Sequence, residues 1–271
     1  MSLLRRHLVL AAAAASLGLA SLAAQAADPA KPNLTLGATA GYNYDVLKKA
    51  IAPQLEKEGY KVRLVEFNDY VQPNLALAQG SLDANLFQHI TYLNRFKADQ
   101  KLDLVDLVQS TTAPMGIYSE SRKSLAELQD GDRVTLPNDP SNLARALQLL
   151  VQQDLITVKA DIDPLRVSER DVVENPKKLR FQPIEAAQLP RTLGDAAIAI
   201  VPGNFATAAG LAFTSALALE QPPVAYQQVV AVRQGDEAKP WAQDLKKAFQ
   251  SPFFKQVLDA EFPGYTRPAG L

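Results

Sequence analysis

The 271-residue sequence contains two histidines and no cysteine. His7 falls in an N-terminal stretch read below as a removable leader, so His89 is the one imidazole left for chemistry. Without thiols there can be no cysteine nucleophile, no thiolate metal site and no disulfide. A single histidine gives a zinc site too few nitrogen ligands, and no compensating cluster of carboxylates appears. The sequence has no H-E-x-x-H, P-loop or G-x-G-x-x-G pattern, and no G-x-S-x-G elbow to pair with His89. A formal net charge of −1 argues against a nucleic-acid binder, which needs a basic surface to neutralise phosphates. Catalysis, a metal and a cofactor are therefore not expected.

What remains is a set of polar and aromatic side chains at the carboxyl ends of predicted strands: Tyr70, Asn85, Phe87, His89, Tyr92, Asn142, Arg145 and Asn204. Their chemistry suits a free amino acid. Arg145 can grip an α-carboxylate through two parallel hydrogen bonds, with help from the helix N-terminus near Asn142. Asn85 or Asn204 can accept from an α-ammonium. Tyr70, Phe87, His89 and Tyr92 can wall an apolar side-chain pocket, where sulfur–aromatic contacts favour a thioether. Plainer roles compete with these. Phe87 on a buried strand can be core, His89 a structural hydrogen-bonding residue, and Asn204 a helix N-cap. Tyr42 and Tyr44 read as surface residues and are not assigned. Strand alternation puts Asn85, Phe87 and His89 on one face. Loss of Arg145 is expected to abolish binding and leave the fold intact.

These side chains need a scaffold. Arg5 and Arg6, the apolar run Leu8 to Ala20 and the small residues of Ala24-Gln25-Ala26 read as a signal segment (1–26) cleaved after Ala26. A short leader (27–33) follows. Apolar spacing then alternates strand and helix from Leu34 to Lys101, implying a parallel sheet covered by helices on both faces. A second α/β series begins after Pro114, and residues 171–179 read as irregular. The expected fold is α/β and two-lobed, with lobe I formed by 34–112 and 236–271 and lobe II by 113–235. Its hinge strands lie near 111–114 and 226–235, and the ligand sits in the cleft between the lobes.

Several longer motifs then stand together. Asn68-Asp69-Tyr70-Val71-Gln72-Pro73-Asn74, Gly80-Ser81-Leu82-Asp83-Ala84-Asn85-Leu86-Phe87-Gln88-His89 and Asn138-Asp139-Pro140-Ser141-Asn142-Leu143-Ala144-Arg145 occur in that order. Glu185-Ala186-Ala187-Gln188-Leu189-Pro190-Arg191 follows. The sequence resembles the methionine-binding (MetQ/NlpA) family of ABC-transporter binding proteins over about residues 34–262. The resemblance implies a periplasmic binding fold, capture of L- or D-methionine and delivery to the permease and ATPase subunits of an ABC importer. By motif position it places ligand contacts at Tyr70, Phe87, His89, Tyr92, Asn142, Arg145 and Asn204, with Arg145 on the carboxylate. Family members commonly carry a lipidated cysteine at the cleavage site. This chain has none, so a freely diffusing periplasmic monomer is expected. Another apolar amino acid or a methionyl dipeptide is the alternative ligand, and a hydrolase on the same scaffold the alternative class.

Overall fold

A computed structural model describes residues 27–271; the expected signal segment and its cleavage site lie outside the described residues. The described residues form two five-stranded sheets and one two-stranded sheet. Strand β1 (Asn33–Thr39) leads into helix α1, which runs Tyr42–Val46, loosens into a π-helical turn at Leu47–Ile51 and continues as Ala52–Lys57. Then come β2 (Lys61–Phe67), α2 (Gln72–Ala78), β3 (Ala84–His89), α3 (Ile90–Gln100) and β4 (Leu104–Gln109). The chain crosses to the second lobe and forms β5 (Gly116–Tyr118), β6 (Arg133–Pro137) and α4 (Pro140–Gln152). A small hairpin, β7 (Thr157–Val158) with β8 (Val172–Glu174), precedes β9 (Arg180–Ile184), β10 (Ile198–Val201), α5 (Gly203–Ala208) and β11 (Ala218–Leu219). Strand β12 (Gln228–Arg233) and helices α6 (Pro240–Phe249) and α7 (Pro252–Glu261) close the chain.

The first sheet has the order β2-β1-β3-β12-β4, the second β11-β5-β10-β6-β9. Pairing of β1 with β2 and β3 is parallel, as the alternation of strands and helices predicts. Strand β12 departs from an all-parallel sheet, running antiparallel between β3 and β4. Its alternating residues explain why it belongs there. Val230 and Val232 face a cluster with Leu34, Leu36, Leu86 and Trp241, while Val229 and Ala231 face one with Leu77, Leu82 and Leu93. Both of its faces thus find apolar partners in lobe I. The expected lobe II boundary at residue 235 is therefore corrected: 228–235 belong to lobe I, and the return crossing is 220–227. Residues 171–179, expected to be irregular, contain the short strand β8.

Lobe II has its own core, in which Ile117, Val134, Leu136 and Ile198 pack against Leu143, Leu147 and Leu150 of α4. A further cluster belongs to neither lobe alone. Tyr70, Phe87 and Tyr92 from lobe I meet Tyr118, Val201 and Phe205 from lobe II. The carboxyl ends of β1, β3, β6 and β10 all point into this seam, and the candidate site lies there.

Candidate functional site

The seam holds a cavity with at most about 310 Å³ of empty space, lined by Tyr42, Tyr70, Phe87, His89, Tyr92, Ala113, Asn142, Arg145, Pro202, Gly203, Asn204 and Gln228. Seven of the eight residues singled out in the sequence line it.

Asn85 does not. Its side chain donates to the Pro73 carbonyl (3.0 Å) and to Asn74 Oδ1 (3.0 Å), and accepts from Gln88 (3.1 Å), in a buried amide network behind the strand. The physical reason is a β-bulge. Consecutive residues Val229 and Val230 of β12 pair with Gln88 and Leu86, leaving Phe87 as an extra residue. The alternation that would align residues 85, 87 and 89 breaks at Phe87, and Gln88 swings to the Asn85 side.

His89 is the N-cap of α3. Its Nδ1 accepts from the Tyr92 backbone N–H (3.1 Å), so the ring proton sits on Nε2, which donates across the seam to Asn142 Oδ1 (3.2 Å). Burial, reinforced by the Arg145 charge and opposed by the Asn142 bond, pushes the imidazole down to about 3. It is a neutral group in this site. Asn142 is fixed in turn by Asp139, the N-cap of α4, which accepts from its backbone N–H (2.9 Å) and its side-chain amide (3.0 Å). Arg145 stands in the second turn of α4, where the helix dipole bears on it little.

Arg145 already has an anionic partner. Its Nε donates to Glu220 Oε1 (2.8 Å) and its Nη2 to Glu220 Oε2 (2.6 Å), and both side chains are almost fully buried. Burial pulls the guanidinium's proton affinity down, but the Glu220 charge and hydrogen bonds outweigh it, leaving the group above its ordinary value. The guanidinium also lies 5.0 Å from the Tyr226 ring centroid. Among the described residues none accepts from Nη1, the edge left for a ligand.

Two polar lining residues were not assigned from the sequence. Gln228 Oε1 is buried without a hydrogen-bond partner among the described residues, and the buried Tyr42 hydroxyl makes no close one, though the Ala113 backbone and the Gln228 side chain lie near enough to temper its rise in pKa. The Gln228 amide is anchored, its Nε2 donating to the Phe87 carbonyl (3.3 Å) and its backbone N–H to Thr112 Oγ1 (2.9 Å), which leaves the oxygen unpaired. Buried orphans of this kind are rare unless a ligand or water satisfies them. Tyr42 had one usable signal: it follows β1 by the same strand-end rule that selected Tyr70. Gln228 opens a strand whose antiparallel placement no local pattern reveals.

The aromatic wall is continuous. Tyr70 packs against Phe87 (5.9 Å between centroids), Tyr92 (5.8 Å) and Phe205 (5.0 Å). Polar contacts close the seam alongside it. The Tyr70 hydroxyl donates to Asn204 Oδ1 (2.6 Å), and Asn204 Nδ2 reaches Thr39 Oγ1 (3.3 Å). Asn204 is thus inside α5, capped by Pro202, and its amide bridges the lobes.

Comparison with known proteins adds an independent line. The sequence profile of the NlpA lipoprotein family matches residues 34–270. A Vibrio cholerae protein named as a probable D-methionine-binding lipoprotein MetQ is 38% identical over 262 residues, 96% of this chain and 96% of its own length. The D-methionine-binding lipoprotein MetQ of Escherichia coli K12 is 37% identical over 258 residues, covering 94% and 95%. A nutrient-binding protein from Burkholderia cenocepacia, solved bound to methionine, superposes with a TM-score of 0.82 at 40% identity, covering 86% of this chain and 99% of its own.

Proposed function

Because the chain belongs to the NlpA lipoprotein family, we propose that it is a substrate-binding protein that captures methionine and hands it to an ABC importer. The observation that supports this best is the division of the cavity lining. The aromatic surface of Tyr70, Phe87 and Tyr92 offers a soft wall to an unbranched thioether, for which sulfur–ring contacts are favourable. The polar remainder offers one free guanidinium edge at Arg145 and one unpaired amide oxygen at Gln228. These match the carboxylate and ammonium of a free amino acid. In this reading Asn142 and His89 fix the seam around the ligand, and Gln228, not Asn85, receives the ammonium.

The same reading makes the protein a carrier with no reaction of its own. It acts in the periplasm as a monomer, and the permease and ATPase subunits of the importer are its partners. No helix of the described residues is long and apolar enough to cross a membrane. Titration calorimetry with L-methionine, D-methionine, leucine and a methionyl dipeptide tests the proposal, together with mass spectrometry of any small molecule that copurifies. Tight, saturable binding of a methionine enantiomer is expected. Leucine or the dipeptide binding more tightly than both enantiomers would replace methionine as the ligand.

A further inference from the structure

Glu220 does not line the cavity; it stands behind Arg145 on the return crossing. Its placement is fixed by main chain. The Glu220 N–H donates to the Met115 carbonyl (2.9 Å), and Glu220 Oε2 accepts from the Met115 N–H (3.1 Å) on the opposite crossing. The carboxylate occupies the Nε and Nη2 positions of Arg145 and turns Nη1 towards the lining. The other groups facing this point add no cationic charge. His89 is neutral, Tyr42, Tyr70 and Tyr226 are kept protonated by burial, and Asp139 behind Asn142 is a further carboxyl. The charge of Arg145 is balanced before any ligand arrives.

We propose that Glu220 is a specificity-determining residue that makes the cleft select zwitterions. It neutralises Arg145 and aims its free edge, so a carboxylate enters only with its own counter-charge. Amino acids meet that condition; the 2-hydroxy and 2-oxo analogues of the same side chain do not. A bare carboxylate would leave the closed seam with an uncompensated negative charge, which a buried site resists strongly. It enters only with a proton on its own carboxyl. The inference rests on the amino-acid-binding reading above and adds the chemical class that the site rejects.

Calorimetry between pH 8 and pH 5 with methionine and its 2-hydroxy analogue tests it. Methionine keeps its net charge across that range, so its affinity for the wild-type protein stays flat. The hydroxy acid binds about tenfold more tightly for each unit the pH falls, the slope of one-proton uptake. A hydroxy acid whose wild-type affinity is independent of pH overturns the proposal. Glu220→Gln keeps an acceptor for Arg145 and removes the charge. It abolishes the slope and narrows the preference for methionine over the hydroxy acid by at least about tenfold. Glu220→Asp, which keeps the charge, retains the slope. An equal loss of both ligands in folded Glu220→Gln overturns the proposal, and so does a hydroxy acid that binds neither wild type nor this variant. If the wild type takes a different amino acid, the methionine reading fails. The same measurements on that amino acid and its hydroxy acid then decide the role of Glu220.

Discussion

Arg145 shows how much a single buried partner changes the meaning of a residue. Read from the sequence alone, Arg145→Ala should remove binding and leave the fold untouched. With Glu220 at 2.6 Å and both groups buried, truncation also strands a carboxylate. Breaking a buried pair from one side costs about 3–5 kcal/mol. Arg145→Ala is therefore expected to lose methionine binding in calorimetry and also to unfold at clearly lower temperature; an unchanged melting temperature would show that Glu220 is hydrated in solution. His89 carries a second prediction. The folded ring is held near 3 against an ordinary 6.5, so between those values the unfolded chain binds the extra proton. The stability contributed by the neutral ring is whole above about pH 6.5 and is lost as the pH falls towards 3, at about 1.4 kcal/mol per unit. His89→Asn keeps an N-cap acceptor and removes the titration. Thermal unfolding of the wild type should fall more steeply than that of His89→Asn between pH 6.5 and 4.5, and parallel profiles would contradict the assignment. The types of the site residues were legible in the sequence because strand ends gather ligand contacts in α/β folds. Their partners were not: Glu220 lies 75 positions from Arg145, at the start of the return crossing, and meets it only through the tertiary packing of the second lobe.

At the scale of elements, periodicity located the strands and helices that carry the site, and it failed where backbone regularity fails. The bulge at Phe87 leaves no mark on the alternation of Ala84 to His89, since every residue of β3 is buried and a fully buried strand has no polar face to count from. The place of β12 was equally hidden, because an antiparallel strand from a late segment is chosen by tertiary packing against β3 and β4. Gly41, between β1 and α1, shows a different constraint. It adopts φ 85° and ψ −146°, and a Cβ there would lie 2.2 Å from the Asn204 carbonyl oxygen on α5 across the seam. The left-handed backbone costs a side chain about 1–3 kcal/mol in either state of the cleft. The collision with Asn204 exists only when the lobes meet. Gly41→Ala should therefore lower the melting temperature of the ligand-free protein modestly and weaken methionine binding by more than about tenfold, with loss of ligand-induced compaction in small-angle scattering. Wild-type affinity in this variant would mean that the lobes close less tightly around Gly41.

For the whole molecule, the described chain passes between two lobes with separate cores at 110–115 and 220–227, an arrangement that lets the seam open without breaking either core. Four polar contacts span it: Tyr70 to Asn204, Asn204 to Thr39, His89 to Asn142, and the Tyr42 N–H to Thr207 Oγ1. Each is worth about 1 kcal/mol net, because the same groups bond to water when the cleft is open. These contacts add to what a bound ligand contributes to closure, which suits a carrier that must also release its cargo. The Tyr70 hydroxyl separates latch from wall, since its ring packs with Phe87, Tyr92 and Phe205 whether or not the oxygen is present. Tyr70→Phe keeps the aromatic surface and deletes one latch. The expected result is a methionine dissociation rate raised about five- to tenfold in surface plasmon resonance, with the association rate little changed, because the latch forms after the ligand has entered. A variant with unchanged dissociation would place the hold on the ligand wholly in its own contacts with Arg145 and Gln228, and a slower association rate would place Tyr70 at the point of entry instead.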